Sequence, residues 1–143
     1  MSWYPLPEVI EAEVFTRVPD SFRKPGQRST WADTNRQGAP VECFIEGPSF
    51  DRAGNLYFTD IPWGRVFRAA PDGTVDLVAE YDGEPNGLRI HKDGRILITD
   101  SKHGIMELHA DTGQVTEHCT RFRLESFKGC NDLAFAGDGT LAW

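Results

Sequence analysis

Two independent series of turn residues recur along this chain at a step of 40 residues, and that spacing restricts the fold more than any other feature. Aligned on their turns, "EGPSFDRAGNLYFTD" from Glu46, "NGLRIHKDGRILITD" from Asn86 and "NDLAFAGDGTLAW" from Asn131 bring Gly54, Gly94 and Gly139 to one address. The steps between those glycines are 40 and 45 residues, and Thr59-Asp60 returns as Thr99-Asp100. An offset hairpin repeats as well: "FRAAPDGTV" (Phe67 to Val75) and "ELHADTGQV" (Glu107 to Val115) carry Gly73 and Gly113, again 40 apart.

Each unit reads as strand, turn, strand, loop, strand, turn, strand. In "RILITD", Ile96 and Ile98 face one way while Leu97 and Thr99 face the other, the period of a pleated strand. "DGT" and "DTGQ" supply the Gly and Asp that tight hairpins need for positive φ. Four strands in 40 to 45 residues is the pattern of a β-propeller blade. The expected fold is therefore all-β: about two to three four-stranded blades in an incomplete ring. An irregular β-sandwich with chance spacing is the rival, and two turn series sharing one step weigh against it. No helix-period segment competes. Gly-His and Trp-Asp pairs of the WD type are absent, as is the glycine pair of kelch repeats.

The division expected along the chain is an N-terminal strand and loop (1–40), a first blade (41–82), a second blade (83–127) and the start of a third (128–143). "AEVFTRV", Ala12 to Val18, reads as a strand, and Ser21 to Pro40 as a polar loop, either a lid or a solvated linker.

Composition excludes some function classes. A net charge of −7 argues against nucleic acid, whose phosphates call for a basic face. No apolar run is long enough for a membrane-spanning helix, and "MSWYPLPEVIEAEVF" lacks the basic start and apolar core of a signal peptide. Cys43, Cys119 and Cys130 are odd in number with no C-x-x-C, which suits small buried thiols in a reducing, cytoplasmic setting. His91, His103, His109 and His118 lack the spacing of a zinc helix and read as surface or turn residues. No G-x-S-x-G elbow supports a serine triad.

The candidate site follows from the register. Eight residues before each turn glycine stand Glu46, Asn86 and Asn131. In a propeller the first strand of each blade lines the central channel, so these positions converge on one mouth. A carboxylate and two amide carbonyls form an oxygen cage of the kind that suits a hard cation such as Ca²⁺. Gly87 after Asn86, and Gly47-Pro48 after Glu46, keep side chains from crowding that mouth. Each residue also has a plainer reading: Asn-Gly is a common turn dipeptide, and Asn131-Asp132 caps loops elsewhere.

"EGPSFDRAGNLYFTDI", "PNGLRIHKDGRILITDS" and "NDLAFAGDGTL", with the hairpin "GRVFRAAPDGTV", resemble the family of senescence marker protein, gluconolactonase and luciferin-regenerating enzyme. The resemblance runs from about Pro40 to Trp143. It implies a six-bladed propeller holding one divalent cation, usually Ca²⁺ with Zn²⁺ or Mn²⁺ as alternatives, and hydrolysis of sugar lactones or related esters. It assigns Glu46 to the metal and Asn131 and Asp132 to substrate or water, with Asn86 at the equivalent place in the intervening blade. The family's later "PNG" and "PDG" segments, the second carrying the general base, have no counterpart before Trp143. The expectation is thus an N-terminal half of such an enzyme, with no catalytic base of its own and little activity alone. The alternative is a catalytically incompetent half-propeller acting as a binding or scaffold module, whose open sheet edges could pair with a second copy.

Overall fold

The computed structural model describes residues 4, 5 and 7–143. Two antiparallel four-stranded sheets dominate it. The first contains β1 (Ile45–Phe50), β2 (Leu56–Asp60), β3 (Arg65–Ala69) and β4 (Val75–Glu80), hydrogen-bonded in that order. The second contains β5 (Pro85–Ile90), β6 (Ile96–Asp100), β7 (Gly104–His109) and β8 (Gln114–Cys119), again in chain order. Two short hairpins follow: β9 (Arg121–Phe122) with β10 (Glu125–Ser126), and β11 (Ala134–Phe135) with β12 (Leu141–Ala142). These are propeller blades in series, and they do not close into a ring.

The turns explain the 40-residue step. Gly54, Gly94 and Gly139 have φ of +84°, +98° and +91°, a region where a Cβ is strained. Each donates its N–H to the carbonyl three residues back, on Asp51, His91 and Ala136 respectively.

Alternation along β6 sorts its residues between two cores. Ile96 and Ile98 pack with Tyr57, Val66, Ala79 and Leu88 between the first and second sheets. Leu97 joins Ile105 and Leu133 on the other face, toward β11 and β12. All five residues of β6 are buried, as expected of a strand covered on both faces. A third cluster, Phe58, Phe67 and Ala69, is covered by Val18 and Phe22 from the N-terminal segment.

That segment departs from expectation. Ala12 to Val18 forms no strand; no neighbouring strand among the described residues offers a ladder to pair with. Instead it runs over the first sheet, where the Thr16 hydroxyl donates to the Gly73 carbonyl at 2.7 Å. The Ser21–Pro40 stretch is not a plain loop either. It carries most of a 3-10 turn (Asp20–Phe22) and a helix, α1 (Thr30–Asn35), whose cap is Ser29: its Oγ accepts from the Ala32 N–H at 3.1 Å.

Cys43, Cys119 and Cys130 are free, but each is partly rather than fully buried. His91 lies at a turn, as expected, and its ring packs on Phe135 with centroids 4.7 Å apart. Among the described residues no helix is long and apolar enough to cross a membrane.

Candidate metal and substrate site

The repeated Thr-Asp step at the end of β2 and β6 positions the mouth. Thr59 donates its hydroxyl to the Asn86 carbonyl at 2.6 Å, and Thr99 donates to the Asn131 carbonyl at 2.7 Å. Each threonine thus reaches across to the mouth residue of the next unit. The aspartates hold their own unit. Asp60 accepts from the Phe44 N–H at 2.7 Å and Asp100 from the Glu84 N–H at 2.9 Å, in each case two residues before Glu46 or Asn86.

Both pairs are fully buried, and the aspartates are differently supported. Arg65 donates to Asp60 through Nε (3.1 Å) and Nη2 (2.5 Å). Burial pushes Asp60 above the ordinary carboxylate value, against the downward pull of the Phe44 amide and Arg65. Asp100 accepts from the Tyr81 hydroxyl at 2.8 Å; burial, then the Asp100 charge, keeps that phenol well above its usual value.

A bulge accompanies the mouth residue in two of the three units, whereas Asn131, expected on an inner strand, precedes β11 and lies on none. On β1, Glu46 faces Thr59 and Ser49 faces Tyr57, so three steps on β1 match two on β2 and one residue is extra at Gly47-Pro48. On β5 the same irregularity falls between Pro85 and Leu88, around Asn86-Gly87. Such bulges bend the strand and redirect a side chain. The backbones also approach closely here: a Cβ on Gly47 would lie 2.6 Å from the Asn86 carbonyl oxygen, and one on Gly87 would lie 2.8 Å from Asp132 Cα.

Two cavities meet here. The smaller, about 80 Å³, is lined by Glu46, Asn86, Arg89, Asn131 and Asp132 with their glycines. The larger, about 350 Å³, shares Glu46, Asn86 and Asn131 and extends to Trp31, Phe44 and Glu84. The three sequence-predicted positions therefore border both spaces. Among the described residues none of their side chains has a hydrogen-bond or ion-pair partner; only their backbones are tied. Asp132 is different. Its Oδ1 accepts from the Leu133 N–H at 2.8 Å, and its Oδ2 pairs with Arg89 Nη2 at 3.3 Å.

A cation fits this donor set only as an oxygen-liganded ion. Among the described residues no group of three or more His, Cys, Asp and Glu could hold a metal, so Glu46 would need the amide oxygens of Asn86 and Asn131. The mouth offers neither thiolate nor imidazole, which favours Ca²⁺ over Zn²⁺. A wider groove of about 870 Å³ lies at the opposite, turn end of the strands. Within it Asp93 meets His91 at 2.7 Å and Arg95 at 2.9 Å.

Sequence reasoning missed Arg89, Trp31, Phe44 and Glu84 as lining residues. The Thr-Asp repeat, 13 residues after both Glu46 and Asn86, is the sequence signal for the threonine bonds that cross from one unit to the next.

Comparisons with known proteins bear on this geometry. The family described as "SMP-30/Gluconolactonase/LRE-like region" matches residues 44–143. Lactonase drp35 of Staphylococcus saprophyticus is 33% identical over 88 residues, which is 57% of this chain and 26% of that protein. Its counterpart in Staphylococcus aureus strain MRSA252 is 31% identical over 71 residues, 48% of this chain and 20% of its own. A gluconolactonase structure from Xanthomonas campestris superposes with a TM-score of 0.63 at 27% identity, over 69% of this chain and 34% of that one. The chain thus spans between a fifth and about a third of the length of these relatives. Helix α1 lies outside the family match.

Proposed function

The chain belongs to the SMP-30/gluconolactonase/LRE-like family, and from that premise we propose that it forms the cation-bearing mouth of a hydrolase of sugar lactones or related esters. One observation carries the reading: Glu46, Asn86 and Asn131 border both cavities, from separate units, with side-chain oxygens that no described protein group engages. Ca²⁺ suits these donors best, with Mn²⁺ next and Zn²⁺ last.

When bound, such a cation supplies Lewis-acid polarisation of a lactone carbonyl. The residues do the rest. Glu46 brings an unpaired negative charge to both cavities. The amides of Asn86 and Asn131 present both a carbonyl and N–H donors toward the substrate's oxygens. Asp132, paired with Arg89 and accepting from the Leu133 N–H, stands at the rim. Water adds to the carbonyl carbon and the ring C–O bond breaks, leaving a hydroxy acid. Glu84 lines the larger cavity and offers a further carboxylate to substrate hydroxyls.

The test is acid release from D-glucono-1,5-lactone, followed with a pH indicator in Ca²⁺ and in chelator. Ca²⁺-dependent release that disappears in Glu46→Gln supports the enzyme. Release unchanged by chelator counts against it.

A second reading, a half-propeller that binds rather than turns over, is favoured by the open face of β1, where Ile45 is 54% and Phe50 64% exposed. Ca²⁺ binding without turnover, in a chain that light scattering shows to be a dimer, would select it.

A further inference from the structure

We propose that Trp31, carried by α1, is the wall that selects cyclic, polyhydroxylated substrates at this mouth. The proposal rests on the lactonase reading for its location and adds a specificity residue to it. Its first support is placement. The larger cavity is lined by residues at the start of β1 and β5 and by α1, which contributes Trp31 and Asn35. Residues 30–35 fall outside the family match, whereas Glu46 and Asn131 lie inside it.

The wall is also held in place. Ser29 caps α1, Ala32 is 2% exposed, and the Trp31 ring lies against Phe44 with centroids 4.9 Å apart at 42°. The stretch just ahead of β1 is tied down in turn. Trp63 Nε1 donates to the Glu42 carbonyl at 3.0 Å, the Lys24 N–H donates to the same carbonyl at 3.3 Å, and Phe44 is fixed by Asp60. A half-buried indole on such a base presents area at little conformational cost.

The lining is chemically mixed: Trp31, Phe44 and Ile61 contribute apolar surface, and Glu46, Glu84 and Asn86 contribute acceptors and amide donors. A sugar ring matches both, with C–H groups on its face and hydroxyls around its edge. An alkyl-chain lactone would cover the apolar wall and leave the carboxylates and amides unsatisfied, which discriminates strongly against it. An open-chain polyol would offer the hydroxyls without a flat face. The volume of about 350 Å³ suffices for one such ring.

The experiment uses the whole chain and two stable probes, 1,5-anhydro-D-glucitol (the ring) and D-glucitol (the open chain), titrated by calorimetry in Ca²⁺. Wild type is expected to prefer the ring. Trp31→Ala should weaken ring binding about tenfold, the loss expected for truncating one central aromatic contact. Trp31→Phe should retain most of it, and both variants should keep wild-type melting and Ca²⁺ affinity within about twofold. Equal binding of the two probes by wild type, or an unchanged ring affinity in Trp31→Ala, overturns the proposal. If Trp31→Ala does not fold, a Trp31→Phe protein with no change in ring preference, together with a Trp31→Leu protein that still prefers the ring, overturns it equally. Trp31-dependent ring binding in a chain that takes up no Ca²⁺ sinks the metal reading and leaves the wall standing. Glu46-dependent Ca²⁺ uptake with no Trp31 effect does the reverse.

Discussion

Thr99 is the residue whose replacement examines the inter-blade hook most sharply. It is fully buried, donates to the Asn131 carbonyl at 2.7 Å and accepts from the Gly87 N–H at 2.8 Å. Thr99→Val keeps the shape and removes both bonds, together with the longer alternative from the same hydroxyl to the Gly87 carbonyl at 3.2 Å. Gly87 N–H still donates to the Asn131 carbonyl at 2.8 Å, so neither group is orphaned. The loss is then two ordinary net hydrogen bonds, about 2 kcal/mol, rather than the larger penalty of a stranded buried group. For a chain of this length that corresponds to a fall in Tm of roughly 6–10 °C. Thr59→Val breaks only the 2.6 Å bond to the Asn86 carbonyl and should cost about 1 kcal/mol. Thermal melts of the two valine variants, with Ca²⁺ titrations alongside, give the comparison. Thr99→Val should melt lower than Thr59→Val and bind Ca²⁺ more weakly than wild type, whereas Thr99→Ser, which retains the hydroxyl, should keep the affinity. Equal melting of Thr99→Val and wild type would refute the reasoning.

Other perturbations examine separate parts of the account. Ile98→Ala, at a fully buried position between the first and second sheets, should cost about 2–5 kcal/mol in denaturant unfolding. Gly87→Ala would put its Cβ 2.6 Å from Asp132 Oδ1 and 2.8 Å from Asp132 Cα, so it should lose about 1–3 kcal/mol and disturb Ca²⁺ binding together. Asp72 is held below the ordinary carboxylate value by the Thr74 amide and then its hydroxyl. Its folded pKa lies below its unfolded one, so its contribution is present above about pH 4 and disappears as the pH falls through the depressed value. Urea melts across pH should therefore show wild type and Asp72→Asn converging in acid.

How much of this was legible in the sequence depends on the range of the interaction. The blades were legible because Gly54, Gly94 and Gly139 encode their turns locally, within four residues of the bonds they make. The alternation of Ile96, Leu97 and Ile98 announced a strand with two faces, although not that each face meets a different sheet. The shared register put Glu46, Asn86 and Asn131 at one mouth, and the structure sets all three along the same cavities. The function of the Thr-Asp repeat stayed hidden because its bonds run to residues 27 and 32 positions away, across a blade boundary. Arg89 and Asp132 are 43 residues apart and meet only when the third unit docks on the second. Helix α1 has six residues, too few for a visible apolar period, and is fixed by its Ser29 cap and by packing. Val14, Thr16 and Val18 alternate like a strand, but an extended segment becomes one only beside a partner, and here it lies across a sheet face.

The central claim is that Glu46, Asn86 and Asn131, one from each successive unit, together grip a cation. Calorimetric Ca²⁺ titration of wild type, Glu46→Gln, Asn86→Ala and Asn131→Ala tests it most directly. The account predicts one site per chain, lost in Glu46→Gln and weakened in both alanine variants, with the fold unchanged by circular dichroism. Wild-type affinity in Glu46→Gln would contradict it.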